Sequence, residues 1–415
     1  MKLEKFKQKD PKKIGIIVFT VTCVLLVAGV FFYTSFASFQ TKAEFNIIKG
    51  TVGSNGDLYF AFYVDDVISK TMPQKGEGYV LDKEKTTCTK GASVEFNETD
   101  WSVKVLNMTE RNTKCTLYFE KNGIGYIEDL YENGDSSLIY DETVDNNLRY
   151  IGADPNNYVL FNNELWRIIG VMNNIDNGLG NKEPRLKIIR SESIGRYSWD
   201  NKSDWGSNDW INSALKIVLN EGAYWSRTSG NCPYGQNGAT TMCDFTSNGL
   251  TKEAKEMIVS VVWSLGSLNG SSITSSTSYI LERGTNVPEG RPTEWIGYVG
   301  LMYPSDYGYA TSGGPTTNRE TCLNTLLNQW QNVSDCYNNN WLYHKVFNQW
   351  TLTSPFLDNS VVYNTLETGG FSGNNSIASD VIVFPTLYLS SNVSISGGTG
   401  SSSDPYQLFV VEKTK

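Results

Sequence analysis

The chain has 415 residues, enough for two or three domains, and carries 35 Lys plus Arg against 44 Asp plus Glu, a formal charge of −9. An acidic body has no field with which to gather phosphates, which excludes nucleic acid as a natural partner. Its 40% hydrophobic and 19% charged residues exclude disorder by composition, and a single histidine, His344, argues against histidine metal sites and most acid–base relays.

Residues 1–13 hold six lysines against Glu4 and Asp10 and read as a cytoplasmic basic tail. From Ile14 to Phe36 no residue is charged, and as a helix this stretch spans about 34 Å, so 14–38 is expected to be a transmembrane signal-anchor helix. Lysines on its N-terminal flank predict a single-pass type II protein of the cell membrane, with the C-terminal part extracytoplasmic. A cleaved signal peptide ending at Ser35-Phe36-Ala37 is the alternative. Six cysteines follow in three near-neighbour pairs, Cys88 with Cys115, Cys232 with Cys243 and Cys322 with Cys336. An even number in an exported region reads as disulfides, and the sequential pairing is favoured among fifteen because each pair brackets a short segment with turn formers.

Residues 44–121 predict a small β-rich, sandwich-like domain: Leu58, Phe60, Phe62 and Val64 alternate with Tyr59, Ala61 and Tyr63, and the period returns at Trp101, Val103, Val105 and at Cys115, Leu117, Phe119. Residues 122–148 have weaker periodicity and read as a linker or a short helical connector. From residue 149 to 411 the texture is α+β. Val159–Phe161 and Leu165–Val171 flank an Asn162-Asn163 turn. Leu250, Ala254, Met257, Ile258, Val261, Val262 and Leu265 form one helical stripe behind a Thr251 cap. Shorter stripes run from Trp210 to Leu219 and from Leu323 to Trp330, and the chain closes with strand-like 381–389 and 406–411. Long Ser, Thr, Asn and Gly loops are expected at 267–294 and 356–379.

A succession of motifs carries a family resemblance: Tyr158-Val159-Leu160-Phe161-Asn162-Asn163-Glu164-Leu165-Trp166-Arg167-Ile168-Ile169-Gly170-Val171, Arg190-Ser191-Glu192-Ser193-Ile194-Gly195, Leu250-Thr251-Lys252-Glu253-Ala254-Lys255, Gly300-Leu301-Met302-Tyr303-Pro304-Ser305-Asp306-Tyr307-Gly308-Tyr309-Ala310, Trp350-Thr351-Leu352-Thr353-Ser354-Pro355 and Phe384-Pro385-Thr386-Leu387-Tyr388-Leu389. Over 149–411 the chain resembles an uncharacterised exported domain family of Gram-positive gut bacteria. More distantly it resembles the C-type-lectin-like fold of formylglycine-generating enzymes and of variable proteins diversified by retroelements. The resemblance implies an α+β C-type-lectin-like domain without oxidase chemistry: Thr353 and Phe384 stand in the arginine neighbourhoods, and Cys322 and Cys336 precede the Trp350 motif instead of matching the catalytic cysteine pair.

Candidate sites separate by chemistry. Asp154-Pro155-Asn156 and Trp199-Asp200-Asn201 are superficially similar to lectin Ca²⁺ tripeptides but read as a turn and a core tryptophan, so no cofactor is expected and Ca²⁺ is the one cation left open. His344 lacks a nucleophile-elbow partner and reads as a surface or partly buried loop residue. Between Pro355 and Val381, aromatic rings mix with short polar side chains, the chemistry of a recognition surface. Beside the Trp350 strand, where the resemblance places a binding face, the expected ligand-binding residues are Trp341, Trp350, Tyr363, Asn364, Phe371, Asn374 and Asn375. The function expected is a membrane-anchored, non-catalytic, extracytoplasmic binding protein for a glycan or protein. The alternatives are a cell-envelope enzyme using carboxylates or a metal, and a structural subunit of a surface filament.

Overall fold

The computed structural model describes residues 58–410, apart from 76, 99, 203–206 and 271–272. Its described residues form two compact units, the first built from 58–75 and 81–120, the second from 77–80 and 121–410.

In the first unit, strands β1 (Leu58–Val64), β2 (Val67–Ser69), β3 (Tyr79–Cys88), β4 (Ser93–Asn97), β5 (Ser102–Leu106) and β6 (Thr113–Lys121) follow one another. They make a four-stranded sheet in the order β2-β1-β6-β3 and a separate β4–β5 hairpin. Period-2 alternation accounts for the sheet: Leu58, Phe60 and Phe62 of β1 are buried, and parallel β6 buries Cys115, Leu117 and Phe119 beside them. Phe96 and Trp101 meet edge to face at 4.9 Å, and the Cys88–Cys115 disulfide closes the unit.

The second unit begins with helix α1 (Gly123–Glu132), whose Asn122 cap accepts from Ile124 N and Gly125 N. Strands β7 (Leu138–Tyr140), β8 (Leu148–Tyr150), β9 (Tyr158–Phe161), β10 (Glu164–Asp176) and β11 (Lys182–Arg190) follow. They are the heart of a nine-stranded sheet whose central order is 386–388, β11, β10, β9, 406–410. Asn162 and Asn163 take positive φ (58° and 61°) to turn β9 into β10, as two-residue hairpins require. Asn162 then accepts from Thr251 N (2.8 Å) and donates to Gly249 O (3.1 Å), pinning the turn to the start of the Lys252–Met257 helix. Gly170 sits at a bulge where β8 joins β10, and a Cβ there would lie 2.1 Å from Leu148 O. A second, five-stranded sheet packs Trp350, Tyr363 and Phe371 into the same core. The hairpin 229–233/240–244, with the Cys232–Cys243 disulfide across it, and the antiparallel pair 261–264/294–297, joined through helix Ser275–Glu282, complete the unit. All three disulfides are the sequential pairs.

Four expectations need correction. The fold is not the α+β arrangement expected: it is mostly β, with 38% strand and 17% helix. The physical reason is visible at 250–265, where Thr251 does cap a helix, yet that helix covers only Lys252–Met257. Ile258 turns extended, and Val261–Ser264 becomes a strand that buries Val261 and Trp263, a period-2 pattern concealed within the helical one. Secondly, the stripe at 323–330 splits into a helix at Arg319–Asn324, capped by Asn318, and a 3-10 turn at Leu327–Asn332. Thirdly, the 122–148 stretch is more than a linker or short helical connector: its helix is α1, but β7 then pairs with β8 and joins the large sheet. Finally, the single-pass membrane localisation is not supported. Among the described residues no helix is long and apolar enough to cross a membrane, the longest having ten residues. The 14–38 segment and the 1–13 tail lie outside the described residues.

Candidate functional site

At the β9–β10 hairpin the alternating strand brings one cation into an apolar run. Arg167 lies directly across from Tyr158 in the antiparallel register, and its guanidinium covers that ring at 4.2 Å. On the other side it faces the Trp341 ring at 4.6 Å. Arg167 Nε donates to Asn157 Oδ1 (2.7 Å), and Nη2 donates to Asp154 Oδ1 (2.9 Å) and Pro155 O (3.2 Å). The tripeptide that hinted at Ca²⁺ is therefore the seat of an arginine. Among the described residues no three His, Cys, Asp or Glu side chains come together as a metal site.

Opposite stands the segment 340–347. Asn340 braces it by donating to Tyr307 O (2.7 Å) and accepting from Leu342 N (3.0 Å). Trp341 donates to Tyr150 O (3.0 Å), Tyr343 to Glu367 O (2.7 Å), and the His344 ring stacks on Phe384 at 4.4 Å. The third wall is the 191–193 turn after β11. Arg190 forks onto Glu164, Nε to Oε1 at 2.7 Å and Nη2 to Oε2 at 2.5 Å, while its Nη1 donates to the carbonyls of Glu192 and Ser193. This cancels the charge of Arg190 and fixes the turn.

These three walls enclose a cavity of about 360 Å³ lined by Tyr158, Arg167, Trp341, Tyr343, His344 and Phe347, with Ser191, Glu192 and Ser193 at its side. The volume falls in the range of small-ligand sites. Among the described residues, the hydroxyls of Ser191 and Ser193 and the Glu192 carboxylate find no hydrogen-bond partner, and neither does His344. Burial, assisted by the charge of Arg167, pushes the His344 pKa down to about 4, so the ring is neutral at pH 7 and free to accept or donate one bond.

Of the residues expected to bind ligand, only Trp341 lines this cavity. Trp350 is fully buried and donates to Tyr197 O (2.9 Å). Tyr363 is buried, bonds Gly270 O and stacks on buried Phe371 at 5.1 Å, and Asn364 is buried with its amide on Thr365 O. The 356–379 segment is a hairpin of Val361–Thr365 and Phe371–Ser376, with Asn374 and Asn375 on its second strand. Its stacked rings and Asn364 serve the interior of a sheet instead of a loop surface. Sequence reasoning missed Arg167, although the signal was present: a lone charge inside the apolar run Leu165 to Val171 of a buried strand needs a reason to be there. Comparison with known proteins finds no matching family model, no matching curated protein and no matching solved structure.

Proposed function

We propose that this chain is a non-catalytic binding protein that recognises a saccharide in the cavity between Arg167 and His344. The observation that carries the reading is the composition of the walls. Several aromatic rings stand beside side-chain hydroxyl and carboxylate groups whose bonding capacity is unspent. Aromatic faces pack against the C–H faces of a sugar ring, and short polar side chains take its hydroxyls. The three disulfides fit work in an oxidising, extracytoplasmic compartment. The test is a glycan array probed with the full-length chain and with His344→Ala and Phe347→Ala, side chains that are only partly buried. Saturable binding that both variants weaken, with the sugar recovered unchanged, supports the reading. Absence of binding, or release of a shortened product, overturns it.

A further inference from the structure

We infer that the saccharide bound in this cavity is acidic, its carboxylate meeting Nη1 of Arg167. The inference rests on the saccharide-binding reading and narrows its ligand class. A guanidinium has five N–H donors in a rigid fork. Three of them are directed at protein acceptors through Nε and Nη2, which bond Asn157, Asp154 and Pro155. The two on Nη1 bond nothing among the described residues, although Arg167 is only 9% exposed and lines the cavity. Nη1 stays reachable from the cavity, and a charge-assisted hydrogen bond from it to an incoming anion is about twice as strong as a neutral one.

Charge points the same way. The carboxylate paired with Arg167, Asp154, has a side chain 71% exposed, so solvent screens that pair and much of the cation's field stays in the cavity. Arg190, the other cation at the wall, is neutralised by its fork onto Glu164, and His344 is uncharged. Glu192 is the carboxylate among the lining residues. It is exposed, on the turn after β11, and suits sugar hydroxyls. Tyr158 and Trp341 clamp the guanidinium plane, so it is held in one orientation for a planar acceptor. A carboxylate matches a single free amino group with two donors. A phosphate dianion asks for a richer donor set.

The test leaves the protein unaltered and changes the ligand. The full-length chain is titrated calorimetrically with the methyl glycosides of glucuronic and galacturonic acid, their methyl esters, and the corresponding neutral hexosides. A charge-assisted bond in place of a neutral one predicts about tenfold tighter binding of the acid than of its ester. That preference should shrink as salt rises and vanish in Arg167→Met, while Arg167→Lys retains part of it. Equal affinity for acid, ester and neutral sugar overturns the inference and leaves the saccharide site standing. Failure of every sugar to bind overturns both. Tighter binding of acetyl-Ala-Ala than of any sugar acid overturns the assignment of the carboxylate to a sugar.

Discussion

Asp306→Asn is the substitution whose consequence the structure fixes most sharply. Asp306 sits on the helix Pro304–Tyr309, 1% exposed, where it accepts from Arg149 Nη1 at 2.8 Å, Lys187 Nζ at 2.5 Å and its own cap's Tyr303 N at 2.9 Å. Arg149 keeps a second partner, Asp141, at 2.6 Å, but Lys187 has no other acceptor among the described residues. Its ammonium is fully buried among the rings of Tyr303 (4.4 Å), Tyr388 (5.4 Å) and Trp263 (5.5 Å). Burial pulls the Lys187 pKa down to about 8 even with Asp306 in place. The amide oxygen of an asparagine at this position can still accept from the cap, so the variant isolates the charge. Breaking a buried pair costs about 3–5 kcal/mol, and the lysine limits the loss by shedding its proton. Against a typical domain stability of about 5–15 kcal/mol this is a large share. The assay is guanidinium unfolding at pH 7 followed by tryptophan fluorescence, which reports chiefly the second unit because every described tryptophan but Trp101 belongs to it. Lys187→Met alone and the double variant complete a cycle, in which the double variant should recover about 2 kcal/mol or more of the summed losses. A loss below about 1 kcal/mol in Asp306→Asn, or strict additivity, would refute the reasoning.

Other outcomes follow from the same structure. Burial alone would raise Asp306 and Asp141, but Lys187 and Arg149 outweigh it and hold both below the usual carboxylate range. Their stabilisation is therefore present above the unfolded carboxylate pKa and lost as pH falls below it, which acid unfolding at stepped pH will display. Because His344 is held near 4 in the fold against 6.5 unfolded, the unfolded chain takes up the proton first. Stability should then decline from pH 6.5 to 4, by at most about 3 kcal/mol, and His344→Gln should flatten that slope. Trp350→Ala and Tyr363→Ala should each cost about 3–5 kcal/mol in denaturant while leaving sugar affinity intact, the reverse of what a recognition loop implies. Replacing Cys322 and Cys336 by Ser opens a loop of 14 residues and should cost about 3 kcal/mol, seen as a lower midpoint than that of the oxidised chain.

What the sequence made legible was local chemistry. The Asn162-Asn163 turn, the Thr251 cap, the alternation of β1 and β6 and the sequential cystines depend on neighbouring residues and were readable from them. The rest depended on partners far away in the chain. Met257-Ile258 could have continued a helix, but Ile258 bridges to Leu389 and Val261–Ser264 pairs with 294–297, and those contacts decide the backbone. The Gly300–Ala310 motif entered only as a mark of resemblance, yet Asp306 within it gathers Arg149 and Lys187 from two strands. Trp341, singled out in the sequence, lines the cavity. Its neighbour Arg167 was not legible beside it, because more than 170 residues of chain separate Arg167 from Trp341 and the wall that completes its cage. A loop-like composition misled at 356–379, where Tyr363 and Phe371 stack across a hairpin.

The chain's single histidine supplies the most direct test of the binding site. With ¹³C-labelled histidine in the full-length chain, one imidazole signal reports from the cavity wall. The account predicts that this signal titrates near pH 4 and shifts saturably at pH 7 when a glucuronide or galacturonide is added. A resonance that titrates near 6.5 and ignores every sugar would contradict it.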